Sequence, residues 1–502
     1  MNGLLRISAM FLLAVVATTG CSRREEPLAE RTAQRPPNIL LAIADDWSWP
    51  HSGVYGDPVI KTPTFDRIAR EGVLFSRAFV ASPSCTPSRA ALLTGQWHWR
   101  LEESANLWST LKARFPVYPD LLEAQGYFVG YSRKGWGPGR WEVGGRTRNP
   151  AGDEYADFEA FLEQRPAEAP FCYWFGSRDP HRPYEEGTGA AAGMALEKIN
   201  LFRSFPDHPI VRSDVADYFW EVQRFDREVG ELIERLESLG ELDNTVLVMT
   251  SDNGMPFPRC KATLYDGGTR VPLAIRWPQR ITGGRSVDDL VSLTDLAPTF
   301  LEAAGLPVPP DMTGRSLTPI LESEEQGRVD PDRSFVLLGK ERHVPCQEVP
   351  DSGGTPMRAI RTEDFLYIRN FRPDRWPGGT PDYEHAFLPG AWYGDVDNGP
   401  TKFYMIDHCD QDEQHRLLFE LAFGKRPAEE LYDLDVDPAQ LHNVASNPDY
   451  RQVLERLSRK LTEQMERTED PRLGDASWLE KFPYYGDGPI KPGFKPPPTE
   501  AQ

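Results

Sequence analysis

One short run sets the terms for the rest of the chain. Asn38-Ile39-Leu40-Leu41-Ala42-Ile43-Ala44 is apolar almost throughout and stops at Asp45-Asp46. A strand with one solvated face alternates apolar and polar residues, whereas an uninterrupted run of this length suits a strand buried on both faces. Comparable runs occur at residues 127–131, 171–176 and 245–250. Helical patterns separate them, at 64–70, at 119–124 and in a long amphipathic stretch at 215–239. Strands alternating with helices imply an α/β fold with a large, mostly parallel sheet covered by helices on both sides. Such sheets bind ligands beyond the carboxyl ends of their strands. That directs attention to Asp45 and Asp46 after the first run, and to Asp252 and Asn253 after the last.

The pattern changes near residue 333. Segments 335–338 and 357–370 read as antiparallel strands, and 449–467 as a helix that Asn447 and Pro448 are placed to start. The expected plan is a signal segment (1–21), a polar tether (22–37), a catalytic domain (38–332), a smaller C-terminal α+β subdomain (333–485) and a Pro-rich tail (486–502). Apolar content of 39% supports a sizeable core. The net charge of −20, with no basic block, argues against nucleic acid as a partner. A small anion can still be met by a local basic pocket.

Arg6 and the apolar run at residues 10–17 have the layout of an export signal, too short for a stable membrane span. The small residues before Cys21 resemble a bacterial lipoprotein cleavage site, which implies a lipid on Cys21 and a periplasmic or cell-surface protein, membrane-bound only through that anchor. An ordinary signal peptide with an incidental Cys21 is the other reading. Of the six cysteines, Cys172, Cys260, Cys346 and Cys409 show no CxxC spacing, so a zinc site is not expected. Export permits disulfides without choosing pairs.

The most specific motif is Cys85-Thr86-Pro87-Ser88-Arg89, continued by Ala90-Ala91-Leu92-Leu93-Thr94-Gly95. Pro87 and Ser88 are placed to open a helix over 88–93, leaving residue 85 near an N-terminus that favours negative charge. Asp45, Asp46, Asp252 and Asn253 offer hard oxygen donors from two strand ends, which suit Ca²⁺ and are compatible with Mg²⁺ or Mn²⁺. Three basic segments follow: Ser132-Arg133-Lys134-Gly135-Trp136, Asp179-Pro180-His181-Arg182 and the stretch opened by Lys261. Taken singly, each Lys reads as a surface charge and His181 as a loop histidine.

Taken in order, these motifs resemble the formylglycine-dependent sulfatases over residues 38–472, and within them heparan N-sulfatase and its bacterial relatives. The resemblance implies the alkaline-phosphatase-like sulfatase fold. It implies a maturation enzyme that oxidises Cys85 to formylglycine, whose hydrate supplies an oxygen nucleophile activated by Arg89 and the metal. The same likeness assigns Asp45, Asp46, Cys85, Asp252 and Asn253 to the ion, Lys134 and Lys261 to the sulfate, and His181 to proton donation. Many family members carry Lys-x-His where this chain has Lys134-Gly135-Trp136, so one proton donor is missing. The implied substrate is a sulfated sugar, first of all glucosamine N-sulfate in heparin or heparan fragments. Arg342, His343 and Arg361 are candidates to read the sugar. An O-sulfatase, a phosphonate or phosphate monoester hydrolase of the same superfamily, and a non-catalytic glycan-binding protein are the competing readings. An oxidisable Cys85 has no use in the last of these.

Overall fold

The computed structural model describes residues 35–486. The proposed signal segment with Cys21, most of the tether and nearly all of the tail lie outside the described residues. The large sheet is built from β1 (Asn38–Ala44), β2 (Val73–Phe79), β3 (Phe128–Arg133), β4 (Asp153–Tyr155), β5 (Phe171–Gly176), β6 (Thr245–Ser251), β7 (Arg270–Arg276), β8 (Arg285–Val287) and β9 (Val291–Ser292). Their order is β4-β3-β5-β1-β6-β7-β2-β8, with β9 also on β2. β7 alone runs antiparallel to its neighbours, so the sheet is mixed but mostly parallel.

β1 shows why its sequence is apolar on both sides. Ile39, Leu41 and Ile43 join one core layer, while Leu40, Ala42 and Ala44 join the other. The helix Pro209–Ser238 covers the second layer through Val211, Val215, Phe219, Val222, Phe225, Val229 and Ile233, spaced by three or four residues. It starts six residues before the amphipathic stretch read from sequence, because His208 accepts from the Ile210 N–H and Pro209 fits the first turn.

A second, antiparallel sheet holds β10 (Phe335–Lys340), β11 (Met357–Thr362), β12 (Phe365–Asn370) and β13 (Glu429–Asp433) in that order. Val336, Leu338 and Ala359 pack on Phe79, Leu264 and Tyr265. Leu337, Ile360 and Tyr367 face Trp97, Trp99 and the helix Arg451–Arg467. The chain between β10 and β11, and the excursion between β12 and β13, reach back towards the carboxyl ends of the large sheet. No described helix is long and apolar enough to cross a membrane, and the five described cysteines are free thiols.

Candidate active site

β1 and β6 pair in parallel with Ala44 opposite Ser251, so the residues that follow each strand emerge side by side. The turn after β1 is tied to β6: the Asp46 N–H donates to Asp252 Oδ1 at 3.1 Å and the Trp47 N–H to Ser251 Oγ at 2.7 Å. These bonds hold Asp46 at φ 82°, a left-handed conformation unusual for a residue with a Cβ. Asn253 Nδ2 donates to Asp46 Oδ1 at 2.6 Å and to Gly254 O at 2.9 Å. Gly254 is required by contact, since a Cβ there would sit 2.0 Å from the Gly267 carbonyl oxygen.

The helix expected over 88–93 spans Cys85–Thr94. Ser84 is extended and precedes it, and Pro87 falls within the first turn, where its missing N–H costs nothing. Residue 85 therefore lies in the first turn itself, at the positive end of the helix dipole. Cys85 Sγ is 3.3 Å from Asp45 Oδ1. Burial, then the Asp252 and Asp45 carboxylates, push this thiol well above its usual range. One turn on, the fully buried Arg89 donates from Nε to Asp252 Oδ2 at 2.7 Å and from Nη1 to the Lys134 and Gly135 carbonyls at 2.9 and 3.0 Å.

β3 and β5 bring the next two groups. Gly176 permits the close approach of the Lys134 backbone, whose carbonyl oxygen would lie 1.7 Å from a Cβ at 176. Lys134 Nζ then reaches Asp45 Oδ2 at 2.6 Å. Burial alone would raise the Asp45 carboxyl, but Lys134, His181, Arg89 and Lys261 hold it well below the usual carboxylate range. Asp46 goes the other way: burial lifts it to about 6, opposed by Lys261 and His181 but reinforced by Asp45 and Asp252. Asp179 pairs with Arg224 at 2.6 Å, fixing the segment that carries His181. His181 Nδ1 is 2.7 Å from the Arg182 carbonyl oxygen, which can only accept, so Nδ1 carries the hydrogen. Its Nε2 faces Asp46 Oδ2 at 3.8 Å. Lys261 Nζ bridges Asp46 Oδ2 at 2.8 Å and Asp397 Oδ2 at 3.2 Å. Burial would lower this ammonium, yet Asp397 and Asp46, in that order, hold it well above its ordinary value.

A hard cation fits the centre of this cluster. Donor atoms of Asp45, Asp46, Cys85 and Asp252 lie within 4.8 Å of one another, and all four residues are buried. Asn253 Oδ1 is buried and without a hydrogen-bond partner among the described residues, while both contacts of Nδ2 fix the amide's orientation. Three close carboxylates and an orphaned amide oxygen form an oxygen-rich set matched to Ca²⁺ or a similar ion. The sulfur of Cys85 is its single soft atom, and it occupies the place of the oxygen that an oxidised side chain would present.

The remaining candidates divide. His343 stands at the site: its Nδ1 is 2.8 Å from the hydroxyl of Ser84, next to Cys85, and burial lowers it to about 4, leaving a neutral ring. Arg342 turns away from it, donating to the Phe482 and Pro483 carbonyls at 3.0 and 3.2 Å. Arg361 is bound to Asp266 at 3.0 and 3.1 Å and stacks on Phe79, away from the carboxylate cluster. Both guanidinium groups are thus engaged within the protein, unlike His343 beside Ser84. Trp136 is packed in the core with its backbone bonded to Asn149, so no proton donor stands there. Asp397 was not foreseen. The only signal was a polar, glycine-rich loop, Gly394-Asp395-Val396-Asp397-Asn398-Gly399, before a Pro-initiated helix.

The family model described as Sulfatase matches residues 37–142 and 151–306, more than half of the chain. Human N-sulphoglucosamine sulphohydrolase is 28% identical over 492 residues, covering 87% of this chain and 91% of that protein. An ulvan-active sulfatase of Formosa agariphila is 28% identical over 439 residues, covering 84% and 78%. Among solved structures, one determined with D-glucosamine-2-N,6-O-disulfate superposes with a TM-score of 0.60 at 22% identity, covering 87% of this chain and 98% of that one. With that family model spanning more than half of its length, the chain is a member of the sulfatase family.

Proposed function

We propose that this sulfatase removes sulfate from an amino sugar, with the N-sulfate of glucosamine in heparin or heparan fragments as its first substrate. The observation that carries the reading is the convergence on one carboxylate cluster of residue 85, at a helix N-terminus, with Lys134, Lys261 and His181. Likeness along most of its length to a sulphoglucosamine sulphohydrolase supports the choice of sugar.

Formylglycine at position 85, when formed, supplies an oxygen nucleophile with a second oxygen to release the product. Asp45, Asp46, Asp252, Asn253 and residue 85 would hold a divalent cation, which would supply Lewis acidity to the reaction. Arg89, locked by Asp252 and two carbonyls, keeps a fixed positive charge beside residue 85 and cannot swing away. Lys134 sits on Asp45 and Lys261 on Asp46, and their ammonium groups neutralise charge on the sulfuryl oxygens. His181 Nε2 is the ring nitrogen left to carry a proton to the departing nitrogen or oxygen, because Nδ1 is committed to Arg182 O. Export and a lipid on Cys21 complete the proposal and would put the reaction outside the cytoplasm.

The test is sulfate release from glucosamine N-sulfate beside glucosamine 6-O-sulfate, with oxidation of residue 85 verified by peptide mass. Release from the N-sulfate supports the reading. Release from the 6-O-sulfate alone keeps a sulfatase but discards the N-sulfate assignment. A metal test accompanies it. Stripping with a chelator should abolish turnover and lower Tm by several degrees, since an ion that binds only the folded site stabilises it by mass action, and Ca²⁺ should restore both. Unchanged activity and Tm after verified removal of all divalent ions would refute the metal assignment.

A further inference from the structure

We infer that Asp397 selects the sugar: its carboxylate accepts a hydrogen bond from the free hydroxyl next to the sulfated position of the bound ring. The inference rests on the sulfated amino-sugar reading above. Asp397 is one ammonium away from the reaction centre, because Lys261 touches it at 3.2 Å and Asp46 at 2.8 Å. His181 and His343 both lie within electrostatic reach of it. The side chains of Asp45, Asp46 and Asp252 are at most 4% exposed, whereas that of Asp397 is 27% exposed. It is therefore the acid of this cluster that a ligand can touch.

A carboxylate in a pocket for an anion needs a reason. It can only accept hydrogen bonds, and it repels sulfate. Its Oδ2 is closed to solvent and faces Lys261, so the exposed part of the side chain lies away from that oxygen. The donors that a sulfated sugar brings are its hydroxyls, so a ring with a free neighbouring hydroxyl satisfies Asp397 and a ring sulfated there confronts it with like charge.

The carboxylate is also held still. Lys402 Nζ donates to the carbonyls of Trp392, Tyr393 and Val396 and to Asn398 Oδ1, all within 3.2 Å. Lys340 binds Asp395 at 2.6 Å. Thr401 and Arg182 share Asp214, tying the loop to the segment that carries His181. A preorganised acceptor of this kind discriminates by leaving a polar group unpaired when the hydroxyl is missing.

The test compares wild type with Asp397→Asn and Asp397→Ala, each matured at residue 85 and metal-replete. Substrates are glucosamine N-sulfate, its N,3-O-disulfate and 4-nitrophenyl sulfate, which has no hydroxyl. The sugar-to-aryl ratio of kcat/KM should fall roughly 10- to 100-fold in Asp397→Ala, mostly through KM, with a smaller fall in Asp397→Asn. Preference for the monosulfate over the disulfate should narrow in both. Equal losses on sugar and aryl ester would overturn the inference and leave Asp397 as a support for Lys261. An unchanged monosulfate preference would overturn it as well. Wild-type turnover of the aryl ester with none of any sulfated amino sugar would instead remove the substrate reading beneath it.

Discussion

Replacing Cys85 by Ala should reduce sulfate release by roughly 10⁴-fold or more while leaving the protein folded. The side chain is small and almost inaccessible, so its loss removes few contacts, and folded-state stability should change by about 1 kcal/mol or less. Chemistry, by contrast, loses its only covalent centre. Cys85→Ser sharpens the point. A serine places one oxygen at the same helix N-terminus and beside the same Asp45 carboxylate, so it can accept a sulfuryl group. It has no second oxygen to expel that group, and turnover should stop after a single event. The unmodified cysteine fails for the same reason, and its thiol is in addition held protonated by burial and by two carboxylates. Steady-state sulfate release, a thermal melt and intact mass together check the claim. Multiple turnovers by Cys85→Ala above a vector control would exclude residue 85 as the nucleophile.

The sequence made the central strands plain because burial on both faces leaves no freedom in their composition. β5 was read to its ends, and β1 from Asn38 to the aspartates that follow it. β7 was missed because Pro272 interrupts it, and a proline argues against a central strand. It is accommodated here with the Pro272 carbonyl accepting from Thr250 Oγ1 at 2.7 Å. β2 was missed because a register shift between Phe75 and Ala78 breaks its alternation. At the site, residues that share a local motif were legible: Asp45 with Asp46, Cys85 with Arg89, Asp252 with Asn253. Residues whose role depends on distant partners were not. Nothing near Arg342 in sequence shows that carbonyls about 140 residues away claim its guanidinium. Nothing near Asp397 shows that it meets a lysine 136 residues earlier.

The run Glu341-Arg342-His343 shows how one short segment divides between site and scaffold, and its anchor is Arg358. That guanidinium is fully buried at the start of β11, opposite Gly339 of β10. It donates to Asp470 at 2.5 and 3.0 Å and to Glu341 at 2.7 Å, and lies 4.9 Å from the Trp99 ring. A buried ion pair adds little net stability against an apolar replacement of both partners, but removing one partner strands the other charge. Arg358→Met should therefore cost about 3–5 kcal/mol, because Asp470 loses its cation entirely while Glu341 keeps only Arg472. Denaturant unfolding should show that loss, and Tm should fall by roughly 3–5 °C. Adding Asp470→Asn should recover part of it, since the stranded charge is then gone, and the pair's coupling follows from the double-mutant cycle. Activity should fall as well, even where the variant stays folded, because Glu341 is two residues from His343 and the Arg358 contact fixes the path between them. A loss below about 1 kcal/mol, or a double variant no better than the sum of the singles, would mean that the buried cluster is not what holds the small sheet's inner edge against the site.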